Sequence, residues 1–279
     1  LAGAGRYLSN ILIDHPGMID DLIDSLLRHE LPNAEQVDQL SIELCRGASE
    51  LSSILHSFKA SMHLMIGVHD LLGSADLSQT HSALASVADA CIRRVVAYHH
   101  EQLASQYGDP VDAAGNPTQL VVLGLGRLGG REPNYHSDLD VMFLYSDDGN
   151  TQRRVGGPRQ TTTNQHFFAE LKQHVLQQFA AVRHAGGRHL SVGNPAGGLS
   201  GSHAGNALYD MDASIRPRNA VGVEAISIAE FARYFSSGLV PLWQRFALCK
   251  ARVVCGDRRI ACREQCVAAP VRPAMRVRH

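Results

Sequence analysis

The chain has 279 residues, 44% of them hydrophobic and 19% charged, with a net charge of −1. That length allows one large domain or two ordinary ones, and the composition is that of a globular protein. It excludes a global field that would draw in nucleic acid or an acidic membrane, and no apolar run reaches the roughly 18–20 residues of a bilayer span. The opening LAGAGRYLSN lacks the charged-then-apolar order of an export signal. It starts on Leu1 rather than Met, as a piece of a longer protein would. Cys45, Cys91, Cys249, Cys255, Cys262 and Cys266 include no CxxC pair, so they are read as structural thiols. Reduced thiols without an export signal make the cytoplasm the expected compartment.

Residues 1–108 read as a helical region. HPGMIDDLIDSLL puts Pro16 at a helix start, with Met18, Ile19, Leu22, Ile23 and Leu26 on one face. A second helix carries Leu51, Ile54, Leu55 and Phe58 and runs through Met65 to Leu72, where Gly73 provides a stop. A third opens near Ser82 and runs to about Leu103 along Leu84, Val87, Ala88, Cys91, Ile92 and Val95. YGDPVDAAGNPTQ, from Tyr107 to Gln119, is rich in turn formers and reads as a linker into a second domain, 109–257. QLVVLGLG and LDVMFLY are two short strands, and helical periodicity returns from Asn164 to Val182. The Gly-rich stretch from Ala185 to Asn206 is a loop, and NALYDMDASIRP is a further strand stopped by Pro217. Ser227 and Glu230 have the spacing of a capping box and open a helix to Phe235. Val240 to Val254 reads as the last helix, and the tail 258–279 has no period.

The chemistry concentrates in LGLGRLGGREPNYHSDLDVMFLY, Leu123 to Tyr145. Side chains alternate along a strand, so Asp138 and Asp140 share a face while Leu139 and Val141 take the other. Two carboxylates about 4 Å apart repel by about 4 kcal/mol at an effective dielectric near 20. A bound cation or a retained proton relieves that cost. Carboxylate oxygens suit Mg²⁺ or Mn²⁺, and Mg²⁺ commonly shares its site with substrate phosphates. Gly124, Gly126, Gly129 and Gly130 let backbone N–H groups approach an anion, Arg127 adds a fixed positive charge, and Ser137 a hydroxyl. GLGRLG matches GxGxxG in letters, but a dinucleotide motif opens a helix, and these glycines are read as leading into a turn and a second strand. No GK[ST] follows, which excludes a P-loop. A third carboxylate is expected for metal-assisted transfer, and Asp212 in LYDMDASIRP is the candidate, with Arg216 a phosphate clamp. Among the fifteen histidines, His99 and His100 diverge, and His166 and His174 share a helix face without a third ligand, so no histidine metal site is expected.

With these residues the chain resembles the glutamine-synthetase adenylyltransferase/adenylyl-removing enzymes of the polymerase-β-like nucleotidyltransferase superfamily. GLGRLGGREPNYHSDLDVMFLY is similar to their core motif and YDMDASIRPRNAVG to their third-carboxylate strand. FKASMHLMIGVHDLLG, ADACI, NQHFFAELKQHVLQQF, SIAEFARYF and LWQRFALCKARVVCGD resemble flanking helices in the same order. The resemblance implies an α+β fold, with the N-terminal helical region followed by a domain whose small mixed sheet is flanked by helices. It implies Mg²⁺-dependent transfer of AMP from ATP to a tyrosine hydroxyl of glutamine synthetase. Asp138, Asp140 and Asp212 would hold the metal, Gly124, Gly126, Arg127, Gly129, Gly130 and Ser137 the triphosphate, and Arg216, Lys250 and Arg252 would be nearby cations. It further implies control by PII-type nitrogen regulatory proteins. HPGMIDDLID and KARVVCGD look more like the attaching unit than the phosphorolytic, adenylyl-removing one. Pro133 stands where the family usually has leucine, and Ser214 where it has a second arginine, which keeps a weakened docking module as an alternative.

Overall fold

A computed structural model describes residues 6–20, 22–23, 31–48, 50–154, 160–180, 207–214, 225–237 and 240–257. The helical region holds α1 (Arg6–Asp14), α2 (Ala34–Cys45), α3 (Leu51–Leu71) and α4 (Leu77–Tyr107). Asn33 with Gln36, and Asp76 with Gln79, close reciprocal capping boxes that start α2 and α4. The second box starts α4 five residues before the expected Ser82, because its first turn has no apolar period to betray it. Gly73, at φ +70°, ends α3 as expected. After Pro16 the chain is helical at Met18–Asp20 and Leu22–Ile23. Only Leu22 of the expected apolar face is buried, with Ile19 and Ile23 43% and 51% exposed, while Leu26 falls outside the described residues.

Within the expected linker, Asp109–Asp112 forms β1, which pairs antiparallel with β4 (Gly149–Gln152). The main sheet has β2 (Leu120–Gly124) antiparallel to β3 (Leu139–Tyr145). On the other edge of β3 lie two parallel two-residue strands, β5 (Met211–Asp212) at its start and β6 (Ile226–Ser227) at its end. Residues 240–257 depart from the single helix expected there. A short α8 (Leu242–Ala247) and a 3-10 turn (Leu248–Lys250) give way to β7 (Arg252–Cys255), antiparallel to the free edge of β2. β7 satisfies backbone groups that would otherwise be buried unpaired.

Both faces of the sheet are covered, which is why β2 and β3 read as near-continuous apolar runs. Val122, Leu139, Val141, Phe143 and Tyr145 join a core with α3, α4 and α6 (Asn164–Ala180), so helices and sheet share one apolar interior. Val121, Leu123, Met142 and Leu144 pack on the other face against Ile226, Leu248 and the residues Ile228 and Phe231 of α7 (Ile228–Ser236). The fold is therefore α+β, a helical region with a small mixed sheet, as expected. Among the described residues, no helix is long and apolar enough to cross a membrane.

Candidate active site

Asp140 occupies the same face of β3 as Met142 and Leu144, just beyond the smaller of the two cores. An aspartate enters a buried strand here because the apolar cover ends at that residue. Asp138 is exposed immediately ahead of the strand. Asp212 is the direct register partner of Asp140 on parallel β5, and the Leu139 N–H donates to the Asp210 carbonyl at 2.8 Å. Paired strands lie about 4.8 Å apart, so the two carboxylates leave the backbone side by side.

Burial holds Asp140 above the usual carboxylate range, and the negative charges of Asp138 and Asp212 add to the effect against the opposing charge of Arg127. Three acids thus share one field. The Asp212 Oδ1 accepts a hydrogen bond from its own Ser214 N–H at 2.7 Å. Among the described residues, no group of three or more His, Cys, Asp or Glu is gathered at metal-ligand spacing. The carboxylates are close enough to repel but not preformed as a cage. Their all-oxygen donor set and mutual repulsion, opposed by Arg127, fit a hard divalent cation.

The glycine segment divides in two. Contrary to a turn leading straight into a strand, Gly126–Gly129 forms α5, a single helical turn. The dinucleotide reading still fails, because the strands on either side are antiparallel. A Cβ on Gly124 would meet Val254 and Leu128 side chains, and one on Gly129 would run into the carbonyl oxygens of Lys250 and Gly124. These two glycines serve close packing. Gly126, at φ +50°, lies against the Asp140 carboxylate, and Gly130 against Lys250 and Glu132. The N–H groups of Gly126, Arg127 and Leu128 open the helical turn and have no acceptor within it. Arg127 is exposed and reaches the Ser137 hydroxyl at 3.4 Å. That hydroxyl also accepts from the Asn134 N–H and donates to Asn134 Oδ1, so Ser137 closes the loop ahead of Asp138.

Of the expected cations, Lys250 is exposed and paired with Glu132 at 2.7 Å. Arg252 does not face the acids. Its guanidinium binds Asp89 of α4 at 2.7 and 3.0 Å and the Leu128 carbonyl at 3.0 Å. It is the brace that ties α4 and β7 to the glycine turn. Arg216 lies outside the described residues. His174 meets His99 of α4 at 5.4 Å between ring centroids, not His166. Sequence patterning assigned no role to Asp89, Lys59 or His63, each of which has a partner more than 140 residues away along the chain.

A profile of the glutamate-ammonia ligase adenylyltransferase family matches residues 1–187 and 199–266. The chain belongs to that family. It is 32% identical over 92% of its length to the bifunctional glutamine synthetase adenylyltransferase/adenylyl-removing enzyme of Thioalkalivibrio sulfidiphilus. Identity is 29% over 93% to the enzyme of that name from Pseudomonas aeruginosa, and 28% over 99% to that from Pasteurella multocida. The match covers 24%, 24% and 26% of these relatives, so the chain spans about a quarter of each adenylyltransferase.

Proposed function

We propose that this chain is a nucleotidyl-transfer unit that moves AMP from ATP to a tyrosine hydroxyl of glutamine synthetase, and so regulates nitrogen assimilation in the cytoplasm. The observation that carries the reading is the register pairing of Asp140 with Asp212, with Asp138 close enough to share their field. The names of the relatives supply the protein substrate. Residues 1–108 form the helical support and 109–257 the transfer domain, with a PII-type protein as regulator of the whole.

In this reading Asp138, Asp140 and Asp212 hold Mg²⁺, with Mn²⁺ a substitute. The bound ion supplies neutralisation of phosphate charge. Arg127 and the first N–H groups of α5 face the triphosphate, with Ser137 keeping the loop closed behind them, and Arg216 and Lys250 adding charge at the rim. The tyrosine oxygen bonds to the α-phosphorus in line as the bond to the pyrophosphate oxygen breaks. The tyrosine proton passes to the Asp212 carboxylate, and pyrophosphate leaves. No covalent intermediate on the chain is required.

Incubation with Mg²⁺, α-labelled ATP and glutamine synthetase tests this. Label appears on the target with the wild-type chain and falls on the order of 10²–10³-fold in Asp140→Asn, the scale of removing one preorganised electrostatic group. Full transfer by Asp140→Asn, at unchanged helix content, overturns the assignment of the acids. Adenylylated target plus phosphate reads out the reverse chemistry, and ADP as the dominant product would make this the removing unit.

A further inference from the structure

A buried polar cluster outside the carboxylate site joins the helical region to both chain segments that carry the acids. Lys59 and His63 stand four apart on α3 and so share a face. The Lys59 ammonium donates to the Leu208 carbonyl and lies 3.9 Å from the centre of the Tyr209 ring. His63, 1% exposed, is within 2.7 Å of the Tyr7 hydroxyl at Nδ1 and 3.2 Å of the Tyr209 hydroxyl at Nε2. Burial, with the charges of Lys59 and His136, holds its ring well below the usual histidine range. A neutral imidazole donates from one nitrogen and accepts at the other, so the two tyrosines are bound as a matched pair. His63 also packs edge-on to Tyr135, whose hydroxyl donates to Asp70 of the same helix at 3.3 Å.

The spacing gives this cluster its consequence. Tyr209 is three residues before Asp212, and Tyr135 three before Asp138. β5 has only two residues, and among the described residues it pairs with β3 alone. Two backbone pairs are too few to hold a strand by themselves, so the grip on Leu208 and Tyr209 adds to the Leu208 N–H bond to the Phe179 carbonyl and to the packing of Met211 on the main core.

We propose that His63 is a positioning residue: with Lys59 it clamps the Leu208–Tyr209 segment to α3 and so sets where Asp212 stands against Asp140. The effect on transfer rests on the nucleotidyl-transfer reading, whereas the clamp itself is a matter of geometry. Tyr7 extends the same network to α1, which couples the start of the described chain to the acids.

His63→Phe keeps a ring in place and removes both nitrogens, and Tyr209→Phe removes the hydroxyl from the other side. In each, hydrogen exchange of the Leu139 amide, which bonds the Asp210 carbonyl, accelerates about tenfold, the size of one lost hydrogen bond. Exchange across the β2–β3 pairing stays as in wild type. The kcat for label transfer falls about tenfold with KM for ATP unchanged, the low end for outer-shell partners, and the double variant loses no more than either single one. Wild-type exchange at Leu139 in a folded variant overturns the proposal. So does uniform acceleration across the sheet, which marks a merely structural role. If His63→Phe does not fold, Tyr209→Phe alone decides. A wild-type chain that transfers no AMP, yet whose variants release Leu139 selectively, keeps the clamp and removes the transferase reading.

Discussion

Asp140 and Asp212 stand side by side in register but are held in opposite ways. Asp140 belongs to a seven-residue strand paired with β2 from Val141 to Tyr145, bonded at its own carbonyl by the Leu125 N–H, and packed into cores on both faces. Asp212 sits on a two-residue edge strand, where its own Ser214 N–H occupies one carboxylate oxygen. One acid is placed by close packing, which allows little adjustment. The other is placed by a short pairing and a few polar grips, with Leu208, Tyr209, Met211 and Ala213 packed against the main core around it. Such a site has one rigid wall and one that can be drawn inward when a cation is added.

The sharpest way to break this contrast is to remove the brace on the rigid side. Asp89→Ala strands Arg252 and weakens the hold on Arg131, which lies 3.6 Å away. The expected loss is about 3–5 kcal/mol, typical of breaking a buried pair from one side, read by urea denaturation. A loss under about 1 kcal/mol, at the level of an exposed pair, would mean that α4 does not anchor the glycine turn. Gly129→Ala comes next. Its new methyl meets two carbonyl oxygens, and the expected cost is about 1–3 kcal/mol of overpacking. A neutral result by thermal melting would show that the rigid wall yields.

The smallest effect has the opposite sign. The folded state raises the pKa of Asp140, so between the unfolded value and that raised value it binds more protons than the unfolded chain. Stability therefore falls as pH rises through that window and stays reduced above it. Asp140→Asn accordingly melts higher than wild type at pH 7, and the difference vanishes below the carboxylate range. Adding Mg²⁺ raises the wild-type melting temperature but not that of the variant. Equal melting at pH 7 would mean that the acids do not strain the apo site.

Much of this was legible beforehand because it depends on local rules. The two strands around the glycines, the α3 stop at Gly73 and the Ser227 cap follow from period and turn chemistry. The last helix was misread because LWQRFALCKARVVC has helical apolar spacing, and nothing local reveals that its end completes the edge of β2. Arg252 is expected from the resemblance as a cation near the site, and that its guanidinium pairs with Asp89 is likewise hidden from any local pattern.

The amino-acid order alone singled out the candidate residues for the chemistry, since a Gly-rich turn followed by SDLD on an apolar strand is a local pattern. Only the tertiary structure decided how those residues are supported. Asp89 with Arg252, and His63 with Tyr209, are pairs 163 and 146 residues apart. Contacts over such distances arise from packing the helices onto the sheet, and no periodicity within either partner encodes them.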